Sequence, residues 1–441
     1  MRIWIAIPLL FIISSCTLSE FRAKFRNQRY GQPLLFFKSD DGKYFPKFIK
    51  DFFNGSVKYK KNYPSIEQAS AGFKLIEVKP LLKDKQPYNQ ANLSWSADGA
   101  WLSYEMQKGN HKEIRIMDLH GLSSQKLLDI EKPSNPYLSA TFPGSFQSFS
   151  SGLNWSKNST QFSFMANNRS GEYNIYVGAV GSTEEPLTKN QGKNGYSVWN
   201  PKLNEIAFTS SRSGKGDIYI INTINKQISQ ISANSETDIF PEWIPNGHTI
   251  VWCSGSGRGY RILMSRRNPK TGRWSPPSAI TNTTFSYLRP TVSPNGKYIS
   301  FYSDSGKFKN MRPTWNIHVV PLEDGTRYSD KQIAQMVIAK DVVVDLNTGP
   351  TWSPNSSSIF YVKRSNKYFN PIFNYNIITG DRYHLKTNTK MNRDLMISKL
   401  GVLSFRAMQG PWDRVFLALT NQGLQLQKVN NSESRIHYLS L

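Results

Sequence analysis

Cysteine is scarce in this sequence, which has only Cys16 and Cys253 among its 441 residues. A disulfide framework and a four-cysteine zinc site are therefore excluded. Cys253 ends the segment Thr249–Cys253, whose β-branched and aromatic residues are typical of a buried strand. We expect its thiol to be a small buried apolar group and not a reactive nucleophile.

Motifs that carry catalysis or bind metals are also missing. The chain has no Gly-x-Ser-x-Gly elbow, no phosphate-binding loop, no dinucleotide-binding glycine pattern and no His-Glu-x-x-His. Its histidines are scattered, without the close pair that a metal site needs. They are His111, His120, His248, His318, His384 and His437. The sequence therefore predicts no metal and no other cofactor, and it gives no motif for an enzyme activity.

Long apolar runs are restricted to the N-terminus, where Ile3–Ile13 follows a single basic residue. This run is too short for a transmembrane helix, which needs about 20 residues. A short apolar run that ends in small residues predicts a secretory signal at residues 1–15. Ile13-Ser-Ser-Cys16 also resembles the lipobox of bacterial lipoproteins, which implies cleavage before Cys16 and a diacylglycerol on its sulfur. Plain secretion and an uncleaved anchor are the alternatives.

The lipobox resemblance also implies a location. Two or more acyl chains hold a protein stably on a bilayer, so a lipidated Cys16 predicts a chain anchored in the cell envelope. Thr17 follows the cysteine at the place where an aspartate would resemble an inner-membrane retention signal. We therefore expect the outer membrane.

Acidic residues are in the minority, with 31 Asp and Glu against 55 Lys and Arg and a formal net charge of +24. In a cytosolic protein this balance would suggest nucleic acid. The polyanions available to an exported protein are lipid head groups, lipopolysaccharide, and acidic glycans or proteins. We therefore expect an envelope protein or an anionic polymer as partner, and no nucleic acid. The alternative is a solvated basic surface with no dedicated partner.

Residues 16–72 are basic and rich in aromatic side chains, and they lack the repeat found further along the chain. So many aromatic residues make full disorder improbable. We interpret this segment as a tether and small cap over one end of the molecule. A basic, aromatic collar against the membrane surface is the alternative.

The rest of the chain repeats one phrase, typified by Pro290–Ser303. A short strand ends at Ser293, Pro294-Asn-Gly296 supplies a turn, and a strand of alternating residues follows. Each copy has an aromatic or aliphatic anchor on its first strand, and successive anchors are 60, 44, 44, 49 and 60 residues apart. The anchors are Trp95, Trp155, Trp199, Trp243, Val292 and Trp352.

Each repeat contains a second and a third phrase, such as Asp217-Ile-Tyr219 and Ile231-Ser232, so it holds about four short strands. Four antiparallel strands in about 45 residues describe the blade of a β-propeller, and the blades must stack in a ring to bury their faces. We predict an all-β propeller at residues 73–441 with six or seven blades, seven being favoured. The anchors should form the core between blades, with a stacking platform for sugars or bases as the alternative.

The two ends of the repeat region decide the number of blades. Leu395–Arg406 reads as a degenerate copy of the hairpin, which Val415–Leu419 and Leu424–Gln427 would follow as outer strands. Phe73–Leu82 reads as a strand ahead of the first hairpin. An N-terminal strand often completes the last blade of a propeller and so removes a free sheet edge.

These residues resemble a known family. The repeat of the TolB-type propellers runs Trp-Ser-Pro-Asp-Gly-Lys, then an aliphatic strand, then Asp-Ile-Tyr, and both Ser293–Phe301 and Asp217–Asn222 are similar to it. The resemblance covers about residues 90–365. It implies the fold and, more loosely, a binding or scaffold role in the envelope. The residues before the first strand are too few and too basic for the α/β domain that precedes the TolB propeller, so its partners are not carried over.

Two interruptions of the repeat are the expected places for function, Leu128–Gly152 and Leu322–Pro350. Long loops on one rim of a ring can form a binding surface. The alternative function is an exported hydrolase or lyase that acts on a glycan with carboxylates at the central channel. Such carboxylates would come from distant strands, so one sequence does not reveal them. Asp98 lies at a turn where other copies have Asn295 or Asn355, so we assign it to the turn and not to catalysis.

Overall fold

We describe the protein from a computed structural model. The structure describes residues 36–38, 44–46, 75–82, 87–108, 111–118, 123–130, 153–167, 173–180, 182, 184–189, 191–256, 259–282, 284–304, 308–309, 312–323, 325, 327–365 and 370–420. Cys16, the predicted signal at 1–15 and most of residues 16–72 lie outside this set, as do Leu424–Gln427 and most of the first insert. The domain boundaries predicted there stay predictions.

The described chain is almost entirely β-structure. Strands β1 (Phe36–Lys38) and β2 (Tyr44–Pro46) form a hairpin ahead of the ring, and β3 is Leu75–Pro80. The following strands belong to blades I to IV in order, four to a blade. They are β4 (Asn89–Trp95), β5 (Trp101–Lys108), β6 (His111–Asp118), β7 (Ser123–Ile130), β8 (Asn154–Trp155), β9 (Gln161–Asn167), β10 (Tyr173–Ala179), β11 (Glu185–Pro186), β12 (Asn194–Trp199), β13 (Glu205–Ser210), β14 (Asp217–Asn222), β15 (Ile228–Gln230), β16 (Thr237–Trp243), β17 (Thr249–Ser256), β18 (Gly259–Arg266) and β19 (Ser278–Ala279).

Blades V to VII use the remaining strands, a two-stranded hairpin inside blade V and one helix. They are β20 (Tyr287–Val292), β21 (Tyr298–Ser303), β22 (Phe308–Lys309), β23 (Arg312–Pro313), β24 (Asn316–Pro321), α1 (Asp330–Gln335), β25 (Val337–Ala339), β26 (Thr351–Trp352), β27 (Ser358–Val362), β28 (Ile372–Asn376), β29 (Arg382–Leu385), β30 (Lys390–Ile397), β31 (Val402–Gln409) and β32 (Trp412–Thr420). None of the described helical segments has the length and apolarity to cross a bilayer.

Seven four-stranded antiparallel sheets form the blades. The first strands of successive blades, β4, β8, β12, β16, β20, β26 and β30, each contact the next, and β30 contacts β4. This closed circuit shows that the first strands surround a central channel and that the blades form a complete ring. The prediction of seven blades is confirmed.

The tryptophan anchors lie between blades, as predicted. Trp243 of blade IV is 4% exposed and packs on Ile218 and Ile220 of blade III. Its indole N–H donates to the carbonyl of Val198 in the same neighbour at 3.2 Å. Trp95, Trp155, Trp199 and Trp352 pack on the preceding blade in the same way, and Val292 replaces the aromatic ring once. Truncating one such tryptophan to alanine lowers the free energy of unfolding by about 3–5 kcal/mol, so the anchors are a principal source of ring stability.

The last blade is completed by the start of the ring. Strand β3 pairs antiparallel with β32, with Val78 opposite Ala418 and Pro80 opposite Phe416, so the sheet order is β3-β32-β31-β30. The prediction that Phe73–Leu82 closes the ring is confirmed. β3 is the outermost strand of this blade, the position that we predicted for Leu424–Gln427. With β3 in place the last blade has four strands like the others, and residue 75 is paired with residue 420.

The turn between the first and second strands repeats one hydrogen-bond pattern in blades I, II, V and VI. In blade V, Ser293 Oγ donates to Asn295 Oδ1 at 2.7 Å and accepts from the backbone N–H of Tyr298 at 3.0 Å. In blade I, Ser96 donates to Asp98 at 2.6 Å in the same way. Aspartate and asparagine are thus interchangeable in this turn, which confirms that Asp98 belongs to the turn.

These turns lie on one face of the ring, because neighbouring turns contact each other: the N–H of Asp98 donates to Ser159 Oγ at 2.8 Å, and that of Asn295 to Ser356 Oγ at 3.0 Å. We call this the turn face; it comprises the first-to-second-strand turns 96–99, 156–160, 200–204, 244–248, 293–297, 353–357 and 398–401, with the outer hairpins such as 223–227 and 377–381 beside them. The opposite face, the insert face, holds the loops that lead into the first strands, including 189–193, 340–350 and 386–389.

Candidate functional site

The first strands contain a bulge where they line the channel. Three residues before the anchors Trp95, Trp199, Trp243 and Val292, the backbone takes the left-handed conformation, as it does at Asp394 on the first strand of blade VII. The residues are Asn92, Tyr196, Phe240, Arg289 and Asp394, with φ between 51° and 57°. The strand register shifts at each of these places. Non-glycine residues pay about 1 kcal/mol or more for this conformation, and bulges of this kind commonly re-aim side chains beside functional sites. The backbone of the ring is therefore irregular where the first strands line the channel.

The end of the second predicted insert reaches the channel. We call residues 341–349 the strap. The Arg289 guanidinium, on the first strand of blade V, donates to the carbonyls of Leu346 and Asn347 at 3.0 and 2.8 Å. The Asn347 amide donates to Asn92 Oδ1, on the first strand of blade I, at 2.8 Å. Since blades I and V are not neighbours, the strap spans the channel at the insert face.

Gly349 fixes where the strap joins blade VI. Its φ is +70°, and a Cβ there would lie 2.5 Å from Thr291 Cγ2 of blade V. Only glycine meets both the conformational and the steric demand. The earlier part of the insert is structural, because Tyr328 and Ile333 are buried in the core between blades IV and V.

A cluster of carboxylates and arginines lies beside the strap, where blade VII meets the channel. Arg406 Nε lies 2.5 Å from Asp394 Oδ2, and Arg406 also lies 3.4 Å from Asp413. The Arg393 guanidinium donates to the other oxygen of Asp413 at 2.5 Å. Despite burial, the three surrounding carboxylates Asp394, Asp413 and Asp345 raise the pKa of Arg406. The cluster is thus a network in which each arginine has a carboxylate partner.

Asp345, on the strap, is a member of this cluster whose pKa is raised. Its carboxylate accepts the N–H groups of Asn347 and Thr348 at 2.9 and 3.2 Å. Burial, and then the nearby charge of Asp394, raise the pKa of Asp345 to about 7. Near neutral pH it is therefore available as a proton donor or acceptor, while Asp394 is held in an ion pair by Arg406.

The other side of the channel is aromatic. The rings of Tyr196 and Phe240 lie 4.6 Å apart, and the guanidinium of Arg289 lies 5.6 Å from the centre of the Phe240 ring. Arg289 also approaches Glu242 at 3.8 Å. Burial raises the pKa of Glu242. Arg289 thus connects the aromatic side, the strap and an acidic side chain.

The space under the strap is small. A crevice between blades VI and VII is lined by Tyr302, Asp345, Phe360, Arg393 and Asp394, among others, and it offers about 10 Å³ to the centre of a water molecule. This is near the minimum for one water. We name the surrounding surface, formed by Asn92, Glu242, Arg289, the strap, Arg393, Asp394, Arg406 and Asp413, the channel mouth.

The remaining residues that the sequence singled out do not join the channel mouth. Cys253 is fully buried in strand β17, and burial raises the pKa of its thiol to about 12, so the predicted inert role is confirmed. His318 is buried, stacks on Phe301 and lies 2.8 Å from the carbonyl of Ile333. Within the described ranges no three His, Cys, Asp or Glu side chains are grouped as a metal ion would require.

The comparisons agree with this architecture. Residues 139–314 match a family model described as the TolB beta propeller domain. Together with the seven-bladed ring, this match shows that the chain carries TolB-like propeller repeats, as its sequence predicts.

Several solved structures resemble the chain. TolB from Acinetobacter baumannii is 17% identical, with a TM-score of 0.39 over 56% of this chain and 57% of that one. A puromycin hydrolase is 13% identical, with a TM-score of 0.55 over 75% of this chain and 52% of that one. A puromycin-hydrolyzing peptidase of Mycobacterium tuberculosis is 12% identical, with a TM-score of 0.53 over 73% and 49%. The chain spans about half the length of these proteins. The likeness at such identities shows the fold alone.

Proposed function

We propose that this chain is a lipid-anchored β-propeller of the bacterial cell envelope that binds an envelope protein or an anionic polymer at its channel mouth. The fold supports a binding role, because a closed ring presents loops from several blades on one rigid surface. The lipobox-like sequence at Cys16 supports the anchor and the outer-membrane location. The surplus of basic residues over the whole sequence supports an anionic partner, whereas the arginines of the channel mouth itself are paired with acids.

One observation carries the binding proposal: the strap is fastened across the channel by blades that are not neighbours. Arg289 and Asn92 hold it from opposite sides, so its side chains are presented in a fixed geometry. Arg393 and Glu242 expose about a third of their side chains there, 33% and 28%. A pre-organised surface with partly exposed charges is suited to recognition, since little side-chain freedom is lost on binding.

The binding role is tested by cross-linking in intact cells with the full chain and two variants. Arg393→Gln with Glu242→Gln changes two exposed charges of the channel mouth, and Lys297→Gln with Asp98→Asn changes two on the turn face. We expect a cross-linked partner of the unmodified chain to be lost in the first variant and kept in the second. A partner retained equally by both variants would contradict a site at the channel mouth. Thermal unfolding of both variants checks that each is folded.

The anchor is tested separately. Cells grown with a radioactive or clickable fatty acid should label the wild-type chain and not Cys16→Ser. Mass spectrometry should find the new N-terminus at Cys16. An intact, unmodified N-terminus would remove the anchor from the proposal and leave the binding test unaffected.

A second candidate function is an exported hydrolase or lyase that acts on a glycan. It is favoured by one observation, the approach of Asp345 and Asp394 from different blades, with the pKa of Asp345 raised to about 7 and Asp394 kept paired with Arg406. Glycoside hydrolysis uses a pair of carboxyl groups, and a sugar would have to bind at the open edge of the one-water crevice that these two line. Incubation of the chain with envelope glycans should then give products that Asp345→Asn abolishes. Equal product from the wild-type chain and the variant would exclude this role for Asp345.

A further inference from the structure

The chain enters the ring on the turn face. Leu75, the first residue of β3, lies opposite Thr420, and the N–H of Thr420 donates to the carbonyl of Gly401 in the blade VII turn at 3.2 Å. The segment that precedes residue 75 therefore joins the ring on this face.

The turns of this face carry exposed lysines around the channel. Lys157, Lys202, Lys297 and Lys399 lie in the turns of blades II, III, V and VII. Within the part of the chain that the structure describes, none of the four has a carboxylate partner; Lys157 donates instead to the carbonyl of Lys202. On the insert face Arg393 and Arg406 are paired with acids, while Lys189, Lys215, Lys340 and Lys386 are exposed there and serve as matched controls.

The fold does not require these lysines. In blade V the N–H of Lys297 donates to Asn295 at 3.0 Å, and in blade VI the N–H of Ser357 makes the same bond to Asn355 at 3.1 Å. The turn is equally well formed with a serine. Asp98 in blade I shows that this position of the turn can hold an acid. In blade V the same position is Asn295, so that turn carries no negative charge there. The positive charge is thus a property of the surface and not a by-product of the turn.

Two exposed apolar side chains project from the outer hairpins of the same face. Ile224 is 63% exposed and Ile378 is 77% exposed. Both hairpins are fastened to the first turns, through Thr223 N–H to Asn204 O and Ile377 N–H to Ser357 O. The outer hairpins carry further exposed basic residues, such as Lys270 and Arg273 in blade IV, and acids such as Asp381 in blade VI. Exposed apolar tips beside lysines are typical of surfaces that rest on lipid head groups.

We propose that the turn face docks on an anionic bilayer, with the four lysines on lipid phosphates and the two isoleucines at the acyl boundary. The proposal rests on the proposed envelope location, but it does not require lipid on Cys16. It orients the molecule, with the turn face on the membrane and the channel mouth directed away from it.

Protection of single lysines from a water-soluble amine-acetylating reagent tests this orientation. The full chain and its Cys16→Ser variant are each mixed with vesicles of phosphatidylcholine and phosphatidylglycerol in a 7:3 ratio, or of phosphatidylcholine alone. We expect Lys157, Lys202, Lys297 and Lys399 to be acetylated at least fivefold more slowly on the anionic vesicles. The controls Lys189, Lys215, Lys340 and Lys386 are exposed on the insert face and should react at unchanged rates.

Equal protection of both lysine sets, or protection independent of phosphatidylglycerol, would overturn the proposal. Soluble polyglutamate provides a third arm. If it protects the four lysines and the vesicles do not, the face binds an acidic protein or polymer and the membrane assignment is wrong. Because Cys16→Ser is tested in parallel, failure of lipidation is distinguished from failure of the face.

A pair of quadruple variants adds an affinity measurement. Lys157, Lys202, Lys297 and Lys399 are changed to glutamine in one, and Lys189, Lys215, Lys340 and Lys386 in the other. A basic residue near an anionic surface is worth about fivefold in affinity. The first variant should therefore bind anionic vesicles at least tenfold more weakly than the second. Equal binding by the two variants would overturn the role of the turn face.

Discussion

The arginines of the channel mouth and the lysines of the first-to-second-strand turns differ in burial and in pairing. On the insert face the arginines of the channel mouth are half-buried and paired, and Arg406 holds Asp394 at 2.5 Å. On the turn face Lys157, Lys202, Lys297 and Lys399 are exposed and have no carboxylate partner among the described residues. A buried ion whose partner is removed costs several kcal/mol, whereas an exposed lysine contributes almost nothing to stability. The charges at the channel mouth therefore contribute to folding stability. The charges of the turn-face lysines do not, and they are available for binding.

The largest expected effect comes from breaking the buried network. Arg406→Met leaves Asp394, with 6% of its side chain exposed, without its closest cation. We expect the free energy of unfolding to fall by about 3–5 kcal/mol, because the carboxylate stays buried and uncompensated. Lys399→Met on the turn face should change it by less than about 0.5 kcal/mol. Urea unfolding monitored by tryptophan fluorescence measures both. A similar loss in the two variants would show that the faces do not differ.

A second comparison uses one glycine from each face. Gly349→Ala places a methyl group 2.5 Å from Thr291 at φ +70°, whereas at Gly296, φ +72°, the nearest atom is 3.4 Å away. Both substitutions force alanine into the left-handed region at about 1 kcal/mol, and the clash adds about 1–3 kcal/mol only in the strap. Gly349→Ala should therefore be the more destabilising by urea unfolding. Equal losses would contradict the packing of the strap on blade V.

The pH dependence of stability separates the faces further. The pKa of Asp345 is raised to about 7, so the folded state holds this proton after the unfolded chain has lost it near pH 4. Folding stability linked to Asp345 is then highest below pH 4 and falls as the pH rises to about 7. Asp345→Asn keeps an oxygen that accepts from Asn347 and Thr348, so it should remove this fall. Urea midpoints at pH 4.5 to 7.5 measure it, and Asp98→Asn on the turn face is the control. An unchanged slope in Asp345→Asn would refute the assignment.

The smallest expected effect belongs to the turns. Asn295→Asp keeps the bonds to Ser293 and Lys297, because Asp98 already makes the equivalent bonds in blade I. The free energy of unfolding should change by less than about 0.5 kcal/mol. A loss above 1 kcal/mol in the same urea assay would show that the turn distinguishes acid from amide. The variant also adds one unit of negative charge to the turn face, so a weaker attachment to anionic vesicles is expected.

The fold could be predicted from the sequence because its information is local and repeated. Ser293–Phe301 contains its own turn residues and a strand of alternating apolar and polar residues. Six more copies of this hairpin predict blades that stack in a ring. Even the closing strand β3 was readable from its position ahead of the first hairpin. Packing of Trp243 on the preceding blade follows from the same repetition.

The channel mouth was only partly predictable. The insert Leu322–Pro350 was marked by its length, and its last third indeed forms the strap. Asp394 and Arg406 gave no signal, because their significance depends on a strand pairing in the most degenerate repeat. The left-handed backbone at Arg289 was also hidden, since arginine has no preference for it; Gly349 at the equivalent place was the one residue that could have indicated the bulge. Contacts between distant blades are set by the closed ring and not by neighbours in sequence.

The pairing of β3 with β32 has a mechanical consequence. A tether that pulls on Leu75 from the turn face loads this strand along its own axis, so the hydrogen bonds to Ala418 and its neighbours share the force together and do not open one after another. The same pairing joins residues 75 and 420, so the ring cannot be completed until both β3 and β32 have been synthesised. The strand by which the chain enters the ring is thus also the strand that closes it.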